Sequence, residues 1–87
     1  MKLKQTTKIL LDKNVTISDK VFTCYEYVEL AERAAVHGAY EDSNRYWRNA
    51  VDFANSLLIN NEPGTFLDEE YDFLKQIAKH FKDEDNA

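Results

Sequence analysis

The sequence predicts an all-α fold, a compact three-helix domain built on an antiparallel helical hairpin and preceded by an extended or partly ordered N-terminal arm. The 87 residues include only two Gly and one Pro, too few for the many tight turns of an all-β domain. Apolar residues recur at helical spacing in three segments. Residues 27–54 predict two helices interrupted at Gly38, with small residues where the helices would face each other.

The first 22 residues predict an arm rather than a regular element. Residues 8–12 could form a short helical turn, whereas residues 15–17 and 21–23 contain the β-branched or apolar side chains that suit strands. A lone strand without a partner is not stable. We therefore expect the arm to pack apolar side chains on the helices, and any strand in the fold to lie here.

The helical hairpin is predicted from its capping residues. Thr23 and Glu26 match a capping box, which places the first helix from Thr23 to His37. Gly38 ends it, because glycine adopts positive φ at low cost. The second helix is predicted from about Tyr40 to Leu58, and the short connection makes it antiparallel to the first.

The third helix follows a loop at residues 60–64, which contains Pro and Gly. Thr65 and Asp68 give a weaker capping signal for a helix from about Phe66 to Lys82. We thus expect one domain, with an arm at residues 1–22, a helical core at residues 23–82 and a polar tail at residues 83–87. In the core, Trp47 and Tyr40 are predicted to lie against the alanines of the first helix: Ala31, Ala34 and Ala35.

Charge is unevenly placed along the chain, whose net charge is −5. The first 20 residues carry five Lys and two Asp, whereas residues 62–87 carry three Lys and eight acidic residues. An acidic chain is poorly suited to non-specific nucleic-acid binding, which depends on neutralising phosphates. The predicted second helix would also begin with Glu41 and Asp42, so direct reading of DNA is not expected.

Catalysis is not expected from the residues available. The single Cys24 is predicted to be a half-buried packing residue, and the two histidines, His37 and His80, fall on different elements. The chain contains no phosphate-binding loop or dinucleotide fingerprint. We therefore expect no enzyme activity, no metal and no cofactor. With no apolar run long enough for a signal peptide or a membrane span, the expected location is the cytoplasm.

The hairpin resembles two known patterns. Gly38, Tyr40, Trp47 and Ala50 are spaced as in a single tetratricopeptide hairpin. With Ala31, and with Ser43 where Ala is usual, the same residues resemble the ANR (AraC negative regulator) family of small bacterial regulators over about residues 25–75. This resemblance implies binding to an AraC/XylS-type activator, which would block the activator's dimerisation or its DNA binding.

Three functional hypotheses remain open. The first is a cytoplasmic regulator that acts by binding another protein. The second is an acidic phage- or plasmid-encoded inhibitor of a host nucleic-acid-binding or defence protein. The third is a structural helical module that forms a homodimer. For a partner-binding surface the sequence predicts aromatic and arginine side chains left over after the core is filled: Tyr25, Arg45, Tyr46, Arg48, Phe53 and Phe73.

Overall fold

The computed structural model describes residues 8–10 and 12–81, and the predicted all-α architecture is confirmed. Three helices pack together: α1 (Ile17–Val36), α2 (Tyr40–Asn60) and α3 (Asp68–Ala78). A short 3-10 turn, Pro63–Thr65, connects α2 to α3. The described residues contain helices and turns but no strand. The predicted tail at residues 83–87 lies outside them.

Helix α1 begins six residues earlier than predicted. The Thr16 hydroxyl accepts a hydrogen bond from the Asp19 backbone N–H (3.1 Å), which makes Thr16 the N-cap. Thr23 lies inside the helix, where its hydroxyl donates to the Asp19 carbonyl (3.0 Å). The predicted start at Thr23 and an arm reaching residue 22 were therefore wrong, and residues 21–23, where a strand was considered, are helical. Near the start of α1, Thr16 and Thr23 are each followed three positions later by an acidic residue, and Thr16 is the cap.

Residues 8–10 are helical, in agreement with the short helical turn considered for residues 8–12 of the arm. The Lys20 ammonium of α1 donates a hydrogen bond to the Leu10 carbonyl (3.1 Å) and so fixes this turn against the helix. Ile9 and Leu10 are partly buried against the core. The start of the described chain is thus packed on the helices.

The turn between α1 and α2 depends on Gly38, as predicted. Its φ is +79°, a left-handed conformation that L side chains rarely adopt. The Gly38 N–H donates to the Ala35 carbonyl (3.0 Å), and the Ala39 N–H donates to the Ala34 carbonyl (2.9 Å). This pair of bonds is the Schellman arrangement, which satisfies carbonyls that the helix end would otherwise leave free.

The core is formed by all three helices, with α2 at the centre. Its fully buried residues include Cys24 of α1, Phe53 of α2 and Leu74 of α3. Helix α3 makes most of its contacts with α2 and few with α1. The surface position predicted for Phe53 was wrong, because its ring is 0% exposed and occupies the centre of this core.

Two packing predictions for α2 also need correction. Tyr40 is 68% exposed, so it does not lie buried against the alanines of α1. Trp47 is partly buried and its ring stacks on His80, with a centroid distance of 3.7 Å and an interplanar angle of 9°. The close approach of α1 and α2 instead involves Ser43, which is buried and whose hydroxyl donates to the Ala31 carbonyl (2.7 Å).

Helix α3 is shorter than predicted at both ends. It begins at Asp68 rather than Phe66, because Leu67 is the N-cap and its N–H donates to the Glu70 carboxylate (2.9 Å). Thr65 belongs to the preceding 3-10 turn. Phe66 is buried and anchors that turn to the core. The helix ends at Ala78, before the predicted end at Lys82.

Candidate protein-binding site

A groove with aromatic walls lies between α1 and α3. Its volume is about 280 Å³, and we call it the aromatic groove. The Tyr25 ring lies 5.9 Å from the Phe73 ring and 6.4 Å from the Phe22 ring, measured between centroids. These spacings are typical of favourable aromatic contacts. The residues that line the groove are Ser18, Val21, Phe22, Tyr25, Glu69, Glu70 and Phe73.

The aromatic groove exists because α1 has two apolar faces. Val21, Cys24 and Val28 point into the core. Phe22 and Tyr25 each follow a core residue by one position, which turns their side chains away from the centre of the core. Phe22 is 60% exposed and Tyr25 is 46% exposed, although both rings are large and apolar. A contiguous exposed apolar surface of this kind is typical of an interaction site.

The α3 side of the aromatic groove is acidic. Glu69 and Glu70 line the groove from the first turn of α3, where the helix dipole favours carboxylates. Glu70 also accepts the Leu67 N–H. The nearest lysine along α3, Lys75, points elsewhere, since its ammonium lies 3.6 Å from the Asp72 carboxylate and 4.7 Å from the centre of the Tyr71 ring.

The structure divides the predicted binding residues into three groups. Tyr25 and Phe73 meet in the aromatic groove. Tyr46, Arg45 and Arg48 lie on α2, away from that groove. Phe53 is in the core and cannot contact a partner while the protein is folded in this way.

Tyr46 lines a second, more polar groove between α1 and α2, with a volume of about 460 Å³, whereas Arg45 and Arg48 do not line it. The Arg45 guanidinium lies 2.8 Å from the Asp42 carboxylate and 5.7 Å from the centre of the Tyr46 ring, which orients this arginine on its own helix. Burial, the Glu26 carboxylate and Tyr46 raise the pKa of Tyr27 in this groove. The lining residues are Ile9, Thr23, Glu26, Tyr27, Leu30, Tyr46 and Asn49.

Phe22 is the aromatic residue of the groove that sequence reasoning missed. The predicted helix began at Thr23, and this start separated Phe22 from Tyr25. The available signal was the cap at Thr16, because a helix that starts there places Phe22 and Tyr25 one turn apart on the same side. Locating the helix start therefore locates the exposed aromatic pair.

Cys24 has no features of a reactive thiol. It is 0% exposed, its Sγ donates to the Ala50 carbonyl (3.4 Å), and burial raises its pKa to about 12. A nucleophilic cysteine needs the opposite, an accessible thiolate. Cys24 is a packing residue of the core and is fully buried, whereas a half-buried position was predicted.

Neither a metal-binding cluster nor a membrane-spanning helix is found in the described part of the chain. Within residues 8–10 and 12–81, no three His, Cys, Asp or Glu side chains converge as they would around a metal ion. In the same part of the chain, no helix combines the length and the apolar character needed to cross a membrane.

Comparison with family models, with curated proteins and with solved structures gave no match to this chain. The resemblance to the ANR family therefore stays a prediction from the motif around Gly38 and Trp47.

Proposed function

We propose that this protein is a small regulator that acts by binding another protein through the aromatic groove. The observation that carries the proposal is the row of three aromatic rings, Phe22, Tyr25 and Phe73. Phe22 and Tyr25 are 60% and 46% exposed, although a core was available to bury them. Aromatic side chains that can be desolvated in a pocket are the usual energetic centre of a protein interface.

The apolar surface that Phe22 and Tyr25 expose is too small to hold a partner by itself, so the interface must extend beyond these two rings. Covering the exposed parts of Phe22 and Tyr25 removes roughly 200 Å² from water, worth about 5 kcal/mol at about 25 cal/mol per Å². Association costs about 4–15 kcal/mol in lost freedom of motion. The rings alone thus give no stable complex, and the partner must also contact the helices on either side.

The resemblance to the ANR family supplies the proposed partner, an AraC/XylS-type transcription activator. The acidic first turn of α2, with Glu41 and Asp42, supports a regulator that does not itself read DNA. On this proposal the protein is not an enzyme and works in the cytoplasm, where such activators act.

The test is a two-hybrid assay against a panel of AraC/XylS-type activators, followed by co-elution of the purified pair. Phe22→Ala/Tyr25→Ala should abolish the interaction, because it removes the exposed rings without opening the core. Tyr40→Ala/Ile59→Ala is the matched control, since these side chains are 68% and 80% exposed and do not line the groove. Circular dichroism checks that both variants fold.

A third variant tests the other predicted surface. Arg45→Ala/Tyr46→Ala/Arg48→Ala alters only the group on α2. Loss of binding in this variant, with Phe22→Ala/Tyr25→Ala unaffected, would place the interface on α2 and refute the assignment to the aromatic groove. If no activator in the panel binds the wild-type chain, the proposed partner is wrong.

A further inference from the structure

We propose that the aromatic groove accepts a positively charged amphipathic helix of the partner, with an apolar stripe on the aromatic rings and Arg or Lys on both sides of the stripe. This inference rests on the proposed function and specifies the chemistry of the partner. The charges on the two lips of the groove and the secondary structure around it both favour such a partner.

Both lips of the aromatic groove carry carboxylates. On the α3 side these are Glu69 and Glu70. On the α1 side it is Glu29, which follows Tyr25 by four residues and so continues the stripe of Phe22 and Tyr25 at the end of the groove. Glu29 and Glu69 are exposed. An apolar floor between two acidic lips is complementary to an apolar stripe flanked by cations.

These carboxylates are not neutralised within the described part of the chain. The ion pairs found there join Arg45 to Asp42 and Lys75 to Asp72, and neither pair is at the groove. The Lys20 ammonium of α1 is directed to the Leu10 carbonyl. Neither described ion pair uses the lip carboxylates, so they can pair with cations of a bound partner.

The surrounding secondary structure favours a helix over an extended peptide. An extended segment binds by adding its backbone to the edge of a sheet, and the described residues contain no strand to receive it. A helical partner satisfies its own backbone and presents side chains at positions i, i+3, i+4 and i+7, as in other helix-in-groove complexes.

The probe is a fluorescein-labelled designed peptide of about 18 residues, or roughly five helical turns. It has a Leu stripe flanked by Arg, and its matched control has the same stripe flanked by Glu. Fluorescence anisotropy with the full chain should show the Arg peptide binding at least about tenfold more tightly at ~50 mM NaCl. The preference should shrink at ~500 mM NaCl, because salt screens exposed charges.

Charge-removing variants test the lips directly. Glu29→Gln/Glu69→Gln should weaken binding of the Arg peptide by roughly two- to thirtyfold, the range that two exposed ion pairs supply. Glu41→Gln/Glu62→Gln changes the net charge equally but lies outside the groove, and it should leave the affinity unchanged. Equal loss in both double variants would show a general charge effect and overturn the inference, as would equal binding of the two peptides.

Two other occupants of the groove give distinct results. A dimer in sedimentation that is lost in Phe22→Ala/Tyr25→Ala would assign the groove to a second copy of the chain. Tight peptide binding that appears only in Lys2→Gln/Lys4→Gln would assign it to the chain's own basic start. Either result overturns the inference.

The peptide assay and the activator assay fail independently. If an activator binds through Phe22 and Tyr25 but the two peptides bind alike, the proposed function stands and the cationic helix is wrong. If the Arg peptide binds through the lip carboxylates and no activator does, the recognition chemistry stands and the proposed partner is wrong.

Discussion

The two glycines of this chain should respond in opposite directions to the same substitution. Gly38 has a φ of +79°, whereas Gly64, in the 3-10 turn, is not among the positive-φ residues. A Cβ built on either glycine meets no atom within 4 Å. Steric crowding is therefore absent at both sites, and the backbone conformation alone decides the effect.

At Gly38 an alanine must be held in the left-handed region, which costs about 1–2 kcal/mol. Gly38→Asn should cost less, since Asn tolerates that region better than other L residues. At Gly64 an alanine restricts the unfolded chain without straining the folded one, and should stabilise by about 0.4–1 kcal/mol. For a chain of 87 residues, 1 kcal/mol corresponds to a change in Tm of about 5 °C.

Urea denaturation followed by circular dichroism at the helical band measures both effects, and the slope with urea should not change. Gly38→Ala should lower the free energy of unfolding, Gly38→Asn should fall between it and the wild type, and Gly64→Ala should raise it. Equal stability of Gly38→Ala and Gly64→Ala would refute the reasoning, because it would mean that the turn does not hold its left-handed conformation in solution.

Three further outcomes are expected. Phe53→Ala should lower the free energy of unfolding by about 3–5 kcal/mol, because its ring is fully buried, whereas Tyr40→Ala should change it by less than about 0.5 kcal/mol; similar values in urea denaturation would contradict the core described here. His80→Ala should shift the Trp47 fluorescence maximum to longer wavelength, since removing the stacked imidazole admits water to the indole, and an unchanged spectrum would show that the stack does not form. Since burial raises the Cys24 pKa from 9.0 to about 12, the unfolded thiol ionises first. The thiol's contribution to stability is then present below pH 9 and lost between pH 9 and 12, with a slope of at most about 1.4 kcal/mol per pH unit. In urea denaturation across this range, the free energy of unfolding should therefore decline more steeply for the wild type than for Cys24→Ser.

The sequence was sufficient for the hairpin because its signals are local. Gly38 is a conformational requirement of one residue, and its positive φ was predicted without knowledge of the rest of the fold. The start of α1 was not decided locally, since Thr16 and Thr23 present the same capping pattern. Burial of Val21 against the other helices decides between them, and that contact depends on tertiary structure.

The candidate site was predictable only in part for the same reason. Tyr25 and Phe73 were identified as surplus aromatic residues, but their pairing across α1 and α3 depends on how the helices pack. Phe53 and Tyr46 are seven residues apart on α2 and looked equivalent in the sequence. The position of α3 makes them different, because α2 forms the centre of the core and buries Phe53, while Tyr46 lies along the seam with α1.

The sparse contact between α1 and α3 has a consequence for partial unfolding. Helix α3 has 11 residues, too few to be stable as an isolated helix, and it is held mainly by α2. Its amides should therefore exchange with solvent deuterium before those of the α1–α2 hairpin, through an opening that releases α3 while the hairpin persists. A ligand that bridges α1 and α3 would close that opening, so its binding would be visible as slower exchange in α3, beyond the residues that it touches.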